Sequence, residues 1–208
     1  MSITLLEIDV RDVTVSMSEA LRYMGVKGDV PEISSLAENL LPEVLDAATP
    51  KVCYGEFPVT FGDGFTDVGG IVTDSESLRR NLERCKKAVV FAATAGVGVD
   101  KLIGKYSKLS PSKAVMVSAI GSALIEGLCD KFCSDLAEKY AKIGKCIKPR
   151  FSPGYGGFEL EAQRNIAALL DTEKRIGLYF TDSLMMIPEK SVTAIVGIYE
   201  TGKDTENV

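Results

Sequence analysis

The strongest constraint on the fold is an almost continuous apolar run over residues 88–94, which has the length of one β-strand. A strand that is apolar on both of its alternating faces needs other parts of the chain packed on both sides. Glycines at positions 96 and 98 end the run, and a short helical pattern follows over residues 99–107. The sequence therefore predicts a central strand that is covered on both of its faces.

The longest predicted helix begins at Ser110 and Pro111 and extends to about Ala141. Serine suits the N-cap of a helix, and proline suits the first helical position, where its missing N–H has no intrahelical partner. Two glycines, Gly121 and Gly127, lie inside the pattern. A glycine inside a helix costs about 1 kcal/mol relative to alanine, so we expect another segment to pack closely at these points.

The remaining elements alternate irregularly along the chain. Helices are expected at 18–25, 32–48, 75–87 and 160–170, and strands at 51–61, 65–73, 176–181 and 192–200. Ser18 is the expected N-cap of the first of these helices, and Pro42 is expected to kink or break the second. An early hairpin and irregular interleaving favour an α+β fold with a largely antiparallel or mixed twisted sheet and packed helices.

The length of 208 residues predicts one domain, 1–208, with a helical N-terminal part at 1–48 and a frayed tail at 203–208. Nothing in the sequence marks a linker between two domains.

Composition limits the chemistry that the chain can perform. It contains no histidine, which excludes Ser-His-Asp and Cys-His nucleophile systems and histidine-bound zinc. A formal net charge of −5 argues against a nucleic-acid partner. The longest apolar run, 88–99, is shorter than the roughly 20 residues that span a bilayer. With an odd count of five cysteines and no leader-like N-terminus, we expect a cytoplasmic protein without a membrane partner.

Two motifs admit both a functional and a structural interpretation. Gly96 and Gly98 could cradle a pyrophosphate at the start of a helix, but Lys101 replaces the third glycine of the dinucleotide fingerprint, which favours a tight turn. Cys129 and Cys133 share one face of the long predicted helix. With no further clustered ligands, core packing is favoured over redox chemistry or metal binding, and we expect no metal site.

The best candidate for a binding site is the loop 148–158, which holds two prolines and three glycines among aromatic residues. Proline pre-sets the backbone, and glycine lets a ligand approach it. Arg150 can hold a carboxylate with two hydrogen bonds, and Tyr155 offers a ring for stacking. A structural turn with a packed tyrosine is the alternative. Glu126, at the border of the apolar stripe of the long helix, could face a ligand or the solvent.

Residues 150–155, Arg-Phe-Ser-Pro-Gly-Tyr, resemble the Arg-x-x-Pro-Gly-Tyr motif of the reactivation (S-adenosylmethionine-binding) domain of cobalamin-dependent methionine synthase. Other stretches that resemble this family occur in the expected order: an apolar strand ending in Ala-Thr-Ala-Gly at 90–96, a small-residue helix with a glutamate at 119–128, and a segment at 169–193. The resemblance covers roughly residues 85–197, and residues 19–25 fit free-standing relatives.

This resemblance implies an activation-domain-like fold and a stand-alone reactivation subunit for methionine synthase. Such a subunit binds S-adenosyl-L-methionine for the reductive methylation of cob(II)alamin, with a flavodoxin-type electron donor. The cobalamin is held by a separate corrinoid protein, since this chain has no histidine for a cobalamin-binding signature. The subunit is an accessory one, and no residue of its own is implied to be catalytic. The alternative is a non-catalytic docking module for the corrinoid protein of another methyltransferase.

Carried over residue by residue, the resemblance implies five ligand-binding positions. Arg150 meets the methionine carboxylate of the ligand, and Glu126 lies near the ligand's polar side. Ser152, Gly154 and Tyr155 contact the nucleoside.

The chain also departs from the family pattern at two places. Residues 156–159 stand where the family has a proline-rich stretch, and residues 191–196 lack a tyrosine that lies near the ligand. We therefore expect the binding of S-adenosylmethionine to be weaker or altered.

Overall fold

A seven-stranded sheet lies at the centre of the computed structural model, which describes residues 2–28 and 30–200. Its strands are β1 (Ile3–Glu7), β2 (Lys51–Phe61), β3 (Thr66–Val68), β4 (Ile71–Thr73), β5 (Lys87–Thr94), β6 (Lys145–Ile147) and β9 (Ser191–Glu200). Their order is β4-β3-β2-β5-β9-β6, with β1 beside the first half of β2. A separate two-stranded ribbon joins β7 (Tyr179–Phe180) and β8 (Met186–Ile187). Every neighbouring pair is antiparallel.

Helices cover both faces of this sheet. In the described residues they are α1 (Met17–Tyr23), α2 (Pro31–Ala47), α3 (Glu76–Asn81), α4 (Val97–Leu109), α5 (Pro111–Ala141), α6 (Ala162–Leu170) and α7 (Thr172–Ile176). Alternate residues of β5 enter two separate cores: Val89 and Phe91 pack with α1, α2, α4 and α5, while Val90 and Ala92 pack with α3, α6 and α7. The predicted α+β fold with a largely antiparallel sheet and a doubly covered central strand is confirmed.

The two glycines of α5 lie where other segments approach the helix closely. A Cβ added to Gly127 would stand 2.1 Å from the carbonyl oxygen of Thr14, and one added to Gly121 would stand 2.9 Å from Val99. Both glycines are therefore needed for packing, as the sequence predicts. By length and hydropathy α5 resembles a membrane-spanning helix, but 56% of its most apolar window is buried inside the fold, as in a core helix.

The N-terminal part differs from the sequence prediction in three ways. Residues 1–48 are not all helical, because β1 adds to the edge of β2. The N-cap of α1 is Ser16, whose hydroxyl accepts a hydrogen bond from the Glu19 amide, and not Ser18. Helix α2 continues through Pro42, which faces solvent while Val44 packs into the core.

Three further boundaries differ because single residues take a left-handed backbone. Helix α3 ends at Asn81 instead of 87, since Arg84 has a φ of 69°. The strand expected at 65–73 divides into β3 and β4 at a turn formed by Gly69 and Gly70. Residues 172–176 are helical, and Gly177, with a φ of 70°, ends that helix before the short β7. The tail predicted to be frayed, 203–208, lies outside the described residues.

Candidate functional site

A cavity of about 510 Å³ lies between the loop 148–158, the middle of α5 and the start of β9. Its lining residues are Glu126, Arg150, Phe151, Ser152, Pro153, Tyr155, Leu160, Gln163, Met186, Ser191, Val192 and Thr193. Four of the five predicted ligand-binding residues are among them: Arg150, Ser152 and Tyr155 from the loop, and Glu126 from α5. The fifth, Gly154, shapes the loop between Pro153 and Tyr155 without lining the cavity.

The loop is anchored to the sheet edge next to β6. Phe151 and Ile195 exchange two backbone hydrogen bonds of 2.8 and 2.9 Å, and the Lys148 amide donates to the carbonyl oxygen of Gly197 at 2.8 Å. These bonds continue the pairing of β6 with β9 and fix the direction in which Arg150 leaves the backbone. The loop is therefore a rigid platform on one side of the cavity.

The bend of the loop is only partly open. The Gly154 amide donates to the carbonyl oxygen of Phe158 at 2.7 Å, and the Phe158 amide donates to the carbonyl oxygen of Tyr155 at 2.8 Å. These backbone groups are therefore already hydrogen-bonded within the loop. Among the described residues, no partner is found for the amide or the hydroxyl of Ser152, which lines the cavity. The Tyr155 side chain projects from the bend with 70% of the residue exposed. It is therefore not the packed tyrosine of a purely structural turn.

Arg150 and Glu126 form an ion pair at the side of the cavity. Nη2 of Arg150 lies 2.5 Å from Oε2 of Glu126 and 3.3 Å from Oδ1 of Asp130. The side chains of Arg150 and Glu126 are 26% and 35% exposed, so the pair is partly desolvated, whereas Asp130 is largely exposed at 74%. Glu126 is therefore the inner partner of Arg150 and Asp130 the outer one.

Two polar atoms of cavity-lining residues have no hydrogen-bond partner within the described chain. They are Nη1 of Arg150 and Oγ1 of Thr193, and both are buried. Buried polar groups are nearly always hydrogen-bonded in proteins, and an unpaired one costs about 1–3 kcal/mol. Two such groups beside one cavity are the expected mark of a site that is completed by a ligand or by ordered water.

This arrangement suits a zwitterionic amino-acid group. A guanidinium carries five N–H donors in a fork that matches a carboxylate, and a glutamate beside it can accept from an ammonium group. The residues present therefore fit a ligand that ends in an α-amino-acid group, which carries both charges. The exposed ring of Tyr155, which lines the same cavity, offers a stacking surface.

The two cysteines of α5 lie behind Arg150 and do not form a reactive site. Burial raises the pKa of the Cys133 thiol to about 11 and raises the pKa of the Cys129 thiol further, although the positive charge of Arg150 opposes both shifts. A thiol with a raised pKa is a poor nucleophile at neutral pH. Within residues 2–28 and 30–200 no group of three or more acidic or cysteine side chains could hold a metal ion.

The glycine turn between β5 and α4 is sealed by the chain itself. A Cβ on Gly98 would lie 1.9 Å from the carbonyl oxygen of Ala47, and one on Gly96 would lie 2.1 Å from the hydroxyl oxygen of Thr49. The Thr49 amide also donates to Ala95 at 2.8 Å. The structural interpretation of this turn is supported, because the end of α2 occupies the place that a pyrophosphate would need.

Sequence reasoning missed three polar residues that line the cavity: Gln163, Ser191 and Thr193. Gln163 is buried, and its Nε2 donates to the carbonyl oxygen of Leu184 at 2.6 Å. Gln163 is three residues before Ile166 and seven before Leu170 on α6, which places it on the apolar face of that helix. The helical spacing in the sequence could therefore have identified Gln163 as a buried polar residue. Thr193 lies in a stretch that resembles the family, but only its position on β9 shows that it belongs to the cavity.

Comparison with known proteins gives a family and a fold. The family model described as "Vitamin B12 dependent methionine synthase, activation domain" matches residues 80–204, which is more than half of the chain. The structure is similar to the crystal structure of the MetH reactivation domain bound to AdoHcy, with a TM-score of 0.67 and 16% sequence identity, over 98% of this chain and 80% of that one. No curated protein matches the sequence.

Proposed function

This chain belongs to the family of activation domains of vitamin B12-dependent methionine synthase, and from that premise we propose that it is a stand-alone reactivation subunit that binds S-adenosyl-L-methionine in the Arg150 cavity. The single observation that carries the proposal is the Arg150–Glu126 pair, which borders a cavity while Nη1 of Arg150 stays unpaired. The similar MetH reactivation domain, which is bound to AdoHcy, supports the same class of ligand for this fold.

We place the methionine end of the ligand at the ion pair. Arg150 would bind the ligand's carboxylate through its free N–H groups, and Glu126 would accept from the ligand's ammonium group. The ligand would then supply the partners that the buried donors of Arg150 and Thr193 lack. Ser152, the backbone at Gly154 and the ring of Tyr155 would hold the nucleoside.

The protein's contribution is position and electrostatics. S-adenosylmethionine, when bound, supplies the methyl group for the reductive methylation of cob(II)alamin. Arg150 and Glu126 would hold one end of the ligand, and the anchored loop would hold the other, which would restrict the orientation of the transferable group. No side chain of this chain is required to donate or accept a proton.

The corrinoid belongs to a partner in this proposal. The sequence contains no histidine that could bind cobalt, so methionine synthase or another corrinoid protein would present its cobalamin at the cavity mouth. A flavodoxin-type donor would supply the electron, and the system would serve methionine biosynthesis in the cytoplasm.

A reconstitution assay tests the proposed function. The corrinoid domains of a methionine synthase, lacking their activation domain, are trapped as cob(II)alamin and mixed with reduced flavodoxin and S-adenosylmethionine. We expect the cobalamin spectrum to change to that of methylcobalamin only when this protein is added, and to stay unchanged with the Arg150→Ala variant. Complex formation without methylation would instead identify a non-catalytic docking module.

A further inference from the structure

The loop 148–158 is held by a second part of the chain besides β9. This part is the segment 73–81, which comprises the end of β4, the turn before α3 and α3 itself. Two of its hydrogen bonds to the loop join residues that are 68 and 81 positions apart in sequence. Most of the segment, 73–79, also lies outside the stretch 80–204 that matches the family model.

Ser75 fixes the end of the loop that follows Tyr155. Its Oγ donates to the carbonyl oxygen of Gly156 at 2.8 Å, and it accepts from the Leu78 amide at 3.1 Å as the N-cap of α3. Ser75 is only 3% exposed, so water has little access to this hydroxyl. The same group therefore begins a helix and holds the residue that comes directly after Tyr155.

Asn81 fixes the other end of the loop. Its Nδ2 donates to the carbonyl oxygen of Pro149 at 3.2 Å, and Pro149 comes directly before Arg150. Ser75 and Asn81 lie at opposite ends of α3, so one short helix is bonded to both ends of the stretch 150–155. That stretch contains every loop residue that we assign to the ligand.

Two further contacts strengthen this attachment. A Cβ added to Gly156 would stand 2.7 Å from the Cβ of Ser77 and 3.0 Å from the ring of Phe151, so the glycine lies tightly between α3 and the residue that is bonded to β9. Just beyond the loop, Oγ1 of Thr73 donates to Oε2 of Glu159 at 3.1 Å. The loop is therefore packed between α3 on one side and β9 on the other.

Holding both ends matters because the middle of the stretch has less support of its own. Tyr155 is 70% exposed, and Gly154 has a φ of 91°, a conformation that glycine also leaves readily. A loop that is free to move must be ordered when a ligand binds, and the entropy lost lowers the affinity. A loop whose ends are already fixed binds without most of that loss.

We propose, on the basis of the ligand cavity proposed above, that Ser75 and Asn81 are positioning residues for the ligand. They hold the stretch 150–155 in its binding conformation before the ligand arrives, although neither residue lines the cavity. Loss of either hydrogen bond lowers the affinity through the loop and not through a lost contact to the ligand.

Calorimetric titration with S-adenosylmethionine tests the role of Ser75. The matched control for Ser75→Ala is Ser16→Ala, because Ser16 is the N-cap of α1 and its Oγ likewise accepts from a backbone amide, at 3.3 Å. Loss of either N-cap should lower the Tm by about 3 °C. We expect the Kd to rise about fivefold in Ser75→Ala and less than about twofold in Ser16→Ala. Ser75→Thr keeps the hydroxyl and should bind within about twofold of the unmodified protein.

Asn81→Ala tests the other end of the loop without removing an N-cap. We expect the Kd to rise about threefold, because the bond to Pro149 is longer than that of Ser75 to Gly156. The control is Asn39→Ala, at an exposed asparagine of α2, which should leave the Kd unchanged.

Hydrogen exchange gives a readout that a general loss of stability would not produce. The amides of Gly154 and Phe158 are hydrogen-bonded within the loop, so their exchange reports its local opening. We expect the peptide 150–158 to exchange faster in Ser75→Ala than in Ser16→Ala, while peptides from β5 exchange alike in the two variants.

Two results would overturn the positioning role while leaving the proposed function intact: unchanged affinity in both Ser75→Ala and Asn81→Ala, or a loss in Ser16→Ala equal to that in Ser75→Ala. Failure of the unmodified protein to bind S-adenosylmethionine would instead overturn the proposed function itself.

Discussion

Two glycine-rich turns of this protein have opposite relations to the rest of the chain. The turn at 95–98 packs against the end of α2, and a Cβ at Gly98 would overlap the backbone of Ala47. In the loop 148–158, a Cβ at Gly154 would meet only Leu160, at 3.4 Å, and Gly154 has a φ of 91°. The first turn uses glycine for close packing of backbone, and the second uses Gly154 to bend the chain beside a cavity, while Gly156 of the same loop packs against Ser77.

This difference shows why a glycine motif alone does not identify a ligand site. Both turns are rich in glycine, and each follows a β-strand, β5 for the first and β6 for the second. What separates them is the occupant of the space that glycine leaves open: the turn at 95–98 holds another part of the same chain, and the loop 148–158 leaves space beside the unpaired donors of Arg150 and Thr193. The experiments below test each half of this contrast.

The largest effect is expected at the packed turn. In Gly98→Ala the new methyl group meets the Ala47 carbonyl at 1.9 Å, so the end of α2 must move away from the sheet. Overpacking of this kind costs about 3 kcal/mol, and we expect the free energy of unfolding to fall by about that amount in a urea titration. A fall of less than about 1 kcal/mol would show that the contact is not tight.

The next largest effect is expected at the open site. Glu126→Gln removes the charge that we propose accepts from the ligand's ammonium group, and we expect the affinity for S-adenosylmethionine to fall by about 2 kcal/mol, or roughly 30-fold. The matched control is Asp130→Asn, because this carboxylate also lies against Arg150 but does not line the cavity.

We expect the affinity of Asp130→Asn to change by less than about 1 kcal/mol, as for an exposed ion pair. Equal losses for the two variants in calorimetry would mean that both carboxylates act only by holding Arg150.

The smallest effect is expected at Gly104, which neither packs closely against another segment nor bends a loop. Gly104 lies in the same helix as Gly98, is exposed, and would place a Cβ in open space. Gly104→Ala should therefore raise the free energy of unfolding by about 0.5–1 kcal/mol, because alanine favours the helix. A loss of stability in the same urea titration would weaken the packing argument for Gly98.

The sequence correctly predicts those helices and strands that have a clear pattern of apolar residues. β5 and α5 are predicted within one residue at each end, because their apolar patterns and the Ser110-Pro111 start are local signals. Of the short elements, the sequence misses α7 and predicts β7 too long, as 176–181, since the boundary between them depends on the left-handed Gly177.

The candidate site is predictable only in part for a similar reason. Arg150 and Tyr155 lie in one loop with a recognisable motif, and Glu126 lies in a recognisable helix. Thr193 becomes a neighbour of Arg150 only because the Phe151–Ile195 bridge docks the loop on β9. Such long-range contacts depend on the register of the sheet, which no local pattern specifies.

The central claim is that Arg150 holds an S-adenosyl ligand, and calorimetric titration of the unmodified protein and of Arg150→Ala with S-adenosylmethionine tests it most directly. We expect saturable binding by the unmodified protein and a loss of about 2 kcal/mol, or roughly 30-fold in Kd, in the variant, with the fold verified by circular dichroism. Equal affinity of the two folded proteins would contradict it.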